Sequence, residues 1–322
     1  MPDAIEKKLA RKSVFVTGAT GLIGKAVCKR LEEAGAKVVA LIRDIAKARS
    51  VLPQGVELVC GDMAQAITYE GVVDYVIHAA SPTASRAFVE TPVEVMETIV
   101  QGASNVLTFA REKSVAGVVL LSTMEVYGLT DSEDVTEGTN TAPDTMAPRN
   151  CYPIAKRFAE CLFASASKEY GVAAKIARLT QTFGRGIAMD DQRVFAQFAR
   201  AAQDGRNIVL KSDGTTARCY CAIDDAVDAI LTILVKGENG KAYNVANPDT
   251  YCTIREMAEF VAKEFSQGRS KVVIDKMGAD AMGYLPPFRM KLNVDRLVAL
   301  GWRPTKGLKA MFSDVMRGLP KA

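Results

Sequence analysis

The segment VTGATGLIG, residues 16–24, lies between an apolar run and an amphipathic stretch, and it constrains the fold more than any other part of the chain. Gly18, Gly21 and Gly24 recur in it at every third position. A backbone that turns tightly from a strand into a helix needs residues without a Cβ, and the helix N-terminus then offers free N–H groups and a partial positive charge. The segment therefore predicts a phosphate-binding turn between the first strand and the first helix.

The alternation of apolar and amphipathic stretches predicts the fold class. Short apolar runs bounded by Gly, Pro and polar residues predict buried strands, namely SVFVTG, KVVALIR, VELVCGD, DYVIHAAS and GVVLLST. Between the first two runs, Ile23, Val27 and Leu31 lie on one helical face, and Gly35 indicates where that helix ends. Strand–helix–strand order implies right-handed crossovers, so we expect an α/β fold with a doubly wound, Rossmann-type parallel sheet.

The second half of the chain has a looser pattern. AAKIARL predicts a sixth strand, and Thr253 with Glu256 forms a capping-box pattern ahead of a later helix. We expect a dinucleotide-binding domain over residues 12–177, to which 216–247 return. Residues 178–215 and 248–322 are expected to form a smaller C-terminal substrate-binding lobe, because ligands of α/β folds bind at the C-terminal edges of the strands.

Composition argues against several classes of site and location. The longest apolar runs are far shorter than the ~20 residues of a membrane helix, and the charged start lacks the apolar stretch of a signal peptide, so we expect no membrane association and a cytoplasmic protein. His78 is the single histidine, and the seven cysteines lack metal-ligand spacing, so we expect no metal. Basic residues form no dense patch interleaved with aromatics, which argues against nucleic-acid binding.

The residues that follow the first four strands are candidates for cofactor contacts. Arg43 stands after the second strand, where a carboxylate for the ribose 2′-hydroxyl is expected; because Arg can hold a 2′-phosphate, NADP stays open beside NAD. Asp62 after the third strand lies within reach of the adenine. The complete set of predicted cofactor contacts outside the catalytic pair is Gly18, Thr20, Gly21, Leu22, Ile23, Gly24, Arg43, Asp62, Met63, Ala79, Ala80 and Ser81.

Tyr152 and Lys156 form the candidate catalytic pair. Their four-residue gap places both side chains on one helical face, about 40° apart, and Pro153 suits a first helical turn. A lysine ammonium, a helix N-terminus and a nicotinamide cation together would lower the pKa of the phenol from about 10 toward neutrality. Tyr152 could then exchange a proton with a sugar hydroxyl while a hydride moves to or from the cofactor.

Six motifs in one order resemble a known family. VTGATGLIG, STMEVYG, YPIAK, RLTQTFGRG, RCYCAIDDAVDAI and LGWRP span about residues 12–305 and resemble the extended short-chain dehydrogenase/reductases, specifically the nucleotide-sugar epimerases, dehydratases and decarboxylases. The resemblance implies tightly held NAD, a nucleotide-diphosphate-sugar substrate and a homodimer through two helices per subunit. It also implies that Tyr152 is the catalytic acid or base, that Lys156 holds the nicotinamide ribose, and that Thr123 binds the sugar 4-hydroxyl.

The same resemblance implies substrate contacts from Ser81, Gln181, Arg218 and Arg289. The two arginines match residues that bind the nucleotide pyrophosphate, a role suited to a forked guanidinium. Gln181 stands where the family commonly has Asn.

The motif STMEVYG bears on which reaction follows oxidation at C4 of the sugar. Met124 replaces the acid of 4,6-dehydratases, which disfavours dehydration, while Glu125 is either a catalytic proton-transfer group or a bystander. We expect a nucleotide-sugar 4-epimerase acting through a 4-keto intermediate. The alternatives are a UDP-glucuronate decarboxylase-type enzyme, an NAD(P)H-dependent ketoreductase, which Arg43 permits, and a non-catalytic NADP-sensing regulator.

Overall fold

The computed structural model of the chain describes residues 2–188, 191–275 and 286–319. Its strands are β1 Ser13–Thr17, β2 Lys37–Ile42, β3 Glu57–Cys60, β4 Tyr75–His78, β5 Gly117–Thr123, β6 Asp131–Val135, β7 Ala174–Leu179, β8 Gln181–Phe183, β9 Ile208–Leu210, β10 Ala217–Ala222, β11 Ala242–Val245, β12 Asn247–Thr253, β13 Val272–Ile274 and β14 Arg289–Leu292. Its α-helices are α1 Pro2–Leu9, α2 Leu22–Glu33, α3 Ile45–Val51, α4 Ala87–Glu90, α5 Pro92–Glu112, α6 Cys151–Tyr170, α7 Val194–Gln203, α8 Ile223–Lys236, α9 Ile254–Phe265, α10 Asp295–Ala299 and α11 Leu308–Gly318. Met124–Tyr127 and Pro148–Asn150 form short 3₁₀ helices.

A seven-stranded sheet with the order β11-β7-β5-β4-β1-β2-β3 forms the centre of the molecule. All of its neighbouring strands are parallel. Helices α2 and α8 pack together on one face, and α5 packs against α6 on the other, each pair over its own apolar core. The predicted doubly wound, Rossmann-type α/β fold is thereby confirmed, and its strand order reverses direction beside β1 and β4, where such folds bind ligands.

A second sheet lies outside the parallel sheet. Its strand order is β12-β10-β14-β6, with β8 also paired to β10, and β9 pairs with β13 in a separate ribbon. Helices α7, α9 and α11 cover a third apolar core in this part of the chain. These elements occupy much of the segment that the sequence assigns to a substrate-binding lobe; the domain boundaries themselves stay a prediction.

The segment 216–247, which the sequence assigns to the dinucleotide domain, contains strands of both sheets. Helix α8 and strand β11 do pack with the parallel sheet, but β10 pairs with β8, β12 and β14 instead. The reason lies in the alternation along β10. Cys219 and Cys221 face the core beneath the parallel sheet, whereas Tyr220 faces the third core, so this strand joins two apolar clusters.

Local signals fix several helix ends. Thr253 and Glu256 form the predicted capping box at the start of α9. Helix α6 stops at Gly171, which adopts the left-handed conformation with φ 69°. Within residues 2–188, 191–275 and 286–319, no helix has the length and apolar character that crossing a membrane requires.

Candidate active site

The glycine turn between β1 and α2 is packed too closely for side chains. Gly18 has φ +71°, and a Cβ on it would lie 2.5 Å from the Ala80 nitrogen. A Cβ on Gly24 would lie 2.1 Å from the Gly18 oxygen. Helix α2 begins after Gly21 without a side-chain cap, so no capping side chain occupies the N–H groups of its first turn. This turn fits a dinucleotide pyrophosphate, and the remaining predicted contacts at it, Thr20, Leu22 and Ile23, are partly exposed.

A buried hydrogen bond joins the ends of β1 and β4 under this turn. Thr17 Oγ1 lies 2.8 Å from His78 Nδ1, and the Ala80 N–H donates to Thr17 Oγ1 at 3.3 Å. Burial, assisted by the Lys156 charge, lowers the pKa of His78 to about 3, so the ring is neutral and structural. Ala79, Ala80 and Ser81 follow β4 with partly exposed side chains.

The end of β2 offers an arginine rather than a carboxylate. Ile42 is buried, and the Asp44 carboxylate accepts a hydrogen bond from the Lys47 N–H as the N-cap of α3. The Arg43 side chain is 81% exposed, and its Nη1 lies 3.9 Å from Asp62 Oδ2. The structure thus brings Arg43 and Asp62 together at the corner predicted for the adenosine. Met63, the predicted contact that follows Asp62 in the sequence, is buried.

Tyr152 and Lys156 lie in the first turns of α6, as their spacing predicts. Both are buried, and the Lys156 Nζ lies 5.9 Å from the centre of the Tyr152 ring. Nζ donates to the Leu121 carbonyl at 2.9 Å. Burial lowers the pKa of Lys156 to about 8, against the opposing effect of the Glu160 carboxylate.

In the protein without cofactor, the pKa of Tyr152 is raised, whereas the sequence led us to expect a lowered pKa. Burial raises it, the Glu125 carboxylate raises it further, and a hydrogen bond with Thr123 opposes both. The lysine ammonium is engaged by a backbone carbonyl rather than by the phenol, and a buried phenolate is poorly solvated. The positive charge of a bound nicotinamide would act in the opposite, lowering direction.

The STMEVYG motif places Thr123 and Glu125 at the C-terminal end of β5. Thr123 Oγ1 caps the following 3₁₀ helix by accepting from the Glu125 N–H at 3.2 Å. Glu125 Oε2 lies 3.2 Å from Arg149 Nη1. Thr123 therefore contacts both the Tyr152 phenol and the Glu125 backbone at this strand end.

The other side chains of this motif point into the core. The Met124 sulfur accepts a hydrogen bond from Thr180 Oγ1 at 3.3 Å. The Tyr127 hydroxyl donates to Asn244 Oδ1 at 2.7 Å. Tyr127 is therefore a structural tyrosine, and Met124 offers no proton donor.

Three of the predicted substrate contacts, Gln181, Arg218 and Arg289, lie on the second sheet, whereas Ser81 and Thr123 follow or end strands of the parallel sheet. Gln181 on β8 is next to β10, which carries Arg218. Gln181 Oε1 and Arg218 Nε are both buried without a hydrogen-bond partner, as expected of groups that await a polar ligand. Arg289 on β14 is half exposed, pairs with Glu133 at 3.4 Å, and lines a cavity of about 480 Å³.

Two side chains beside Tyr152 were not expected from the sequence. The ring of Phe88, on α4, stacks on the Tyr152 ring at a centroid distance of 4.6 Å and an angle of 9°. The Arg149 guanidinium lies 5.4 Å from the centre of the Phe88 ring. Arg149 stands three residues before Tyr152, and this spacing could have indicated that it lies near the site. No local sequence pattern indicates that Phe88 does.

Metal ligation has no visible support in the described parts of the chain. Residues 2–188, 191–275 and 286–319 contain no group of three or more His, Cys, Asp or Glu side chains that could hold an ion.

Comparison with known proteins agrees with this geometry. The model of the NAD dependent epimerase/dehydratase family matches residues 14–246. UDP-glucuronic acid decarboxylase 6 from Arabidopsis thaliana is 28% identical over 320 residues, covering 96% of this chain and 90% of that protein.

Solved structures resemble the fold over nearly the whole chain. An epimerase from Methanothermobacter thermautotrophicus superposes with a TM-score of 0.86 at 22% identity, covering 99% of this chain and 95% of its own. UDP-glucose 4-epimerase from Thermotoga maritima superposes with a TM-score of 0.82 at 21% identity, covering 95% of this chain and 98% of its own. Because the family model spans most of the chain, the protein belongs to the NAD-dependent epimerase/dehydratase family, and its cofactor is NAD.

Proposed function

We propose that the protein oxidises C4 of a UDP-uronic acid with bound NAD and then releases the C6 carboxylate as CO2. The observation that carries the proposal is the position of Glu125. It follows Thr123 at the end of β5 and pairs with Arg149, whose guanidinium lies over the Phe88 ring that stacks on Tyr152. The similarity to a UDP-glucuronic acid decarboxylase over 96% of the chain supports the same choice.

Thr123, Tyr152 and Lys156 have separate chemical roles in this proposal. Thr123 orients the 4-hydroxyl, and Tyr152 accepts its proton. Lys156 supplies a positive charge near the phenol and would hold the nicotinamide ribose. The chemistry that NAD supplies when bound is reversible hydride transfer at C4.

The 4-ketone then makes the C6 carboxylate labile. The C5–C6 bond breaks, CO2 leaves, and the electron pair moves toward the ketone oxygen, to which protonated Tyr152 donates a hydrogen bond. C5 takes up a proton from solvent, and the partly exposed Glu125 carboxylate is the candidate group to relay it. Tyr152 then returns its proton to the oxygen, and with the hydride that NAD would give back to C4 the product would be the pentose, without net consumption of cofactor.

A nucleotide-sugar 4-epimerase, the function favoured by the sequence, is the second candidate. Epimerisation needs the Tyr152 phenol and the Thr123 hydroxyl but no further acid, and Met124 supplies none because its side chain packs in the core. Glu125 would then be a bystander. The buried, unpartnered polar atoms of Gln181 and Arg218 support a nucleotide-sugar substrate in either case.

Incubation of NAD-loaded protein with UDP-glucuronate, UDP-glucose and UDP-galactose tests the proposal, with products identified by NMR. We expect UDP-pentose and CO2 from the uronate. A 4-epimer that keeps its carboxylate would favour the second candidate, and stoichiometric NAD(P)H consumption would favour a ketoreductase. Absence of turnover on every sugar, with NADP bound, would favour the regulator.

The variant Glu125→Gln separates the two leading candidates. For a decarboxylase, we expect oxidation and CO2 release to persist while formation of the UDP-pentose slows, because proton delivery to C5 is lost. For an epimerase, turnover should stay close to that of the parent protein. Glu94→Gln, which changes an exposed carboxylate on α5, is the matched control.

We further propose that the protein forms a homodimer through α5 and α6. Their outward faces carry the exposed apolar side chains Val93, Met96 and Phe158, which water would otherwise solvate. Phe158→Glu should shift the mass measured by light scattering to that of a monomer. An unchanged mass in a folded variant would count against this interface.

A further inference from the structure

The Tyr152 ring is held by neighbours that the proposed chemistry does not use. Phe88, 2% exposed on α4, stacks on it at 4.6 Å with nearly parallel planes. The Arg149 guanidinium lies over the same Phe88 ring at 5.4 Å. We call Arg149, Phe88 and Tyr152 the aromatic clamp. Cys151 adds a contact from its Sγ to the Phe88 carbonyl at 3.6 Å, so α4 is tied to the start of α6.

Arg149 also connects the clamp to the acidic group beside the phenol. Its Nη1 lies 3.2 Å from Glu125 Oε2, and the two side chains are only 22% and 32% exposed. A partly buried pair is less screened by solvent than a surface pair, so each charge changes the field felt by its neighbours. Arg149 thus contacts both Glu125 and the ring that packs on Tyr152.

We propose that Arg149 is a positioning residue that offsets the Glu125 charge beside the phenol and, through Phe88, fixes the plane of the Tyr152 ring. This inference rests on the proposed role of Tyr152 as the proton-transfer group. Arg149 is not one of the proposed catalytic residues Thr123, Tyr152 and Lys156, and it need not touch the substrate.

The charged and titratable groups around Tyr152 define the direction of the effect. They come from its own helix, from the adjoining 3₁₀ helices, from β4 and from α4, and they are Lys156, Glu125, Arg149, His78, and the Arg86–Glu90 ion pair. His78 is neutral, and Arg86 and Glu90 pair with each other at the surface at 2.6 Å. Glu125 therefore opposes ionisation of the phenol, and Arg149 is the group in contact with it that counters its charge.

Removal of the guanidinium should move the titration of Tyr152 to higher pH. In Arg149→Met, the Glu125 charge is left without its partner, and a shift of about half to one pH unit follows from a charge change at this range in a partly solvated site. Arg149→Lys should keep the midpoint close to that of the parent protein, because it keeps the positive charge. In Glu125→Gln, the midpoint should instead move to lower pH, because the carboxylate that opposes ionisation of the phenol is removed.

The test titrates Tyr152 directly in NAD-loaded protein labelled with 3-fluorotyrosine, by fluorine NMR, with the resonance assigned through its loss in Tyr152→Phe. The control Arg111→Met removes a guanidinium that lies 4.9 Å from the ring centre of another tyrosine, Tyr170, and should leave Tyr152 unchanged. Equal midpoints in the parent and Arg149→Met, or a midpoint that does not fall in Glu125→Gln, would overturn the inference. Because no substrate is present, this result is independent of the product assay that tests the proposed function.

Discussion

Replacement of Lys156 by Met is expected to stabilise the cofactor-free protein while it removes activity. Lys156 is 2% exposed, and burial lowers its pKa from 10.5 to about 8. At about 1.4 kcal/mol per pKa unit, keeping this ammonium charged in the folded state costs roughly 3 kcal/mol near pH 7. Met fills a similar volume without a charge, but it leaves the Leu121 carbonyl without its donor, a loss of about 1 kcal/mol. The expected net gain is about 2 kcal/mol in the free energy of unfolding.

The pH dependence of this gain has a definite sign. The folded-state pKa lies below the unfolded value, so between about pH 8 and 10.5 the unfolded chain binds more protons than the native protein. The stability contribution of Lys156 therefore rises with pH through this window. The advantage of Lys156→Met should shrink from about pH 7 to about pH 10, and it should disappear above the unfolded pKa.

Urea unfolding of both proteins at these pH values measures the effect. Lys168→Met, at an exposed position on the same helix, serves as the matched control and should change the free energy of unfolding by less than about 0.5 kcal/mol. A Lys156→Met protein that is less stable than the parent near pH 7, or a difference that does not vary with pH, would refute the reasoning about burial.

Three further predictions concern the glycine turn, the end of β2 and the buried His78. Gly24→Ala should abolish NAD binding in calorimetry, because the new Cβ would stand 2.1 Å from the Gly18 oxygen; retained binding would contradict the described turn. Arg43→Asp should weaken the binding of NADP more than that of NAD, because a 2′-phosphate would then meet a carboxylate at the end of β2; equal losses would remove Arg43 from the cofactor site. The pKa of His78 is lowered from 6.5 to about 3, so the parent protein should lose stability as the pH falls below about 6.5. In His78→Gln, the melting temperature should fall less steeply with decreasing pH in this range; an equally steep fall would contradict the assignment.

The parallel sheet could be predicted from the sequence because its strands carry their own signal. Strands buried on both faces are continuous apolar runs, and the glycine turn identifies the first of them. The sheet to which strand β10 belongs was harder to predict. Its segment CYCA is apolar on both faces because it packs between two cores, not because it lies inside the parallel sheet. A local pattern reports burial, but it does not report which strand is the neighbour.

In the candidate site too, the features that lie within one helix or strand could be predicted, and those that depend on contacts between distant segments could not. The separation of Tyr152 and Lys156 is a property of one helix, and the position of Thr123 and Glu125 follows from the end of one strand. The stacking of Phe88 on Tyr152 joins residues 64 positions apart on the chain, 88 and 152, and no periodicity encodes it. The direction of the Tyr152 pKa shift depends on burial and on where Lys156 donates its hydrogen bond, and neither is visible in the motif.

Direct observation of hydride removal from C4 tests the central claim, which is that Tyr152 and bound NAD oxidise a nucleotide sugar. NAD-loaded protein is mixed with UDP-glucuronate that carries hydrogen or deuterium at C4, and the absorbance of reduced nicotinamide is followed in a single turnover. We predict a transient rise and fall that is slower with deuterium and that is absent in Tyr152→Phe, although this variant should still bind NAD. A rise that is insensitive to deuterium at C4, or one that persists in Tyr152→Phe, would contradict the account.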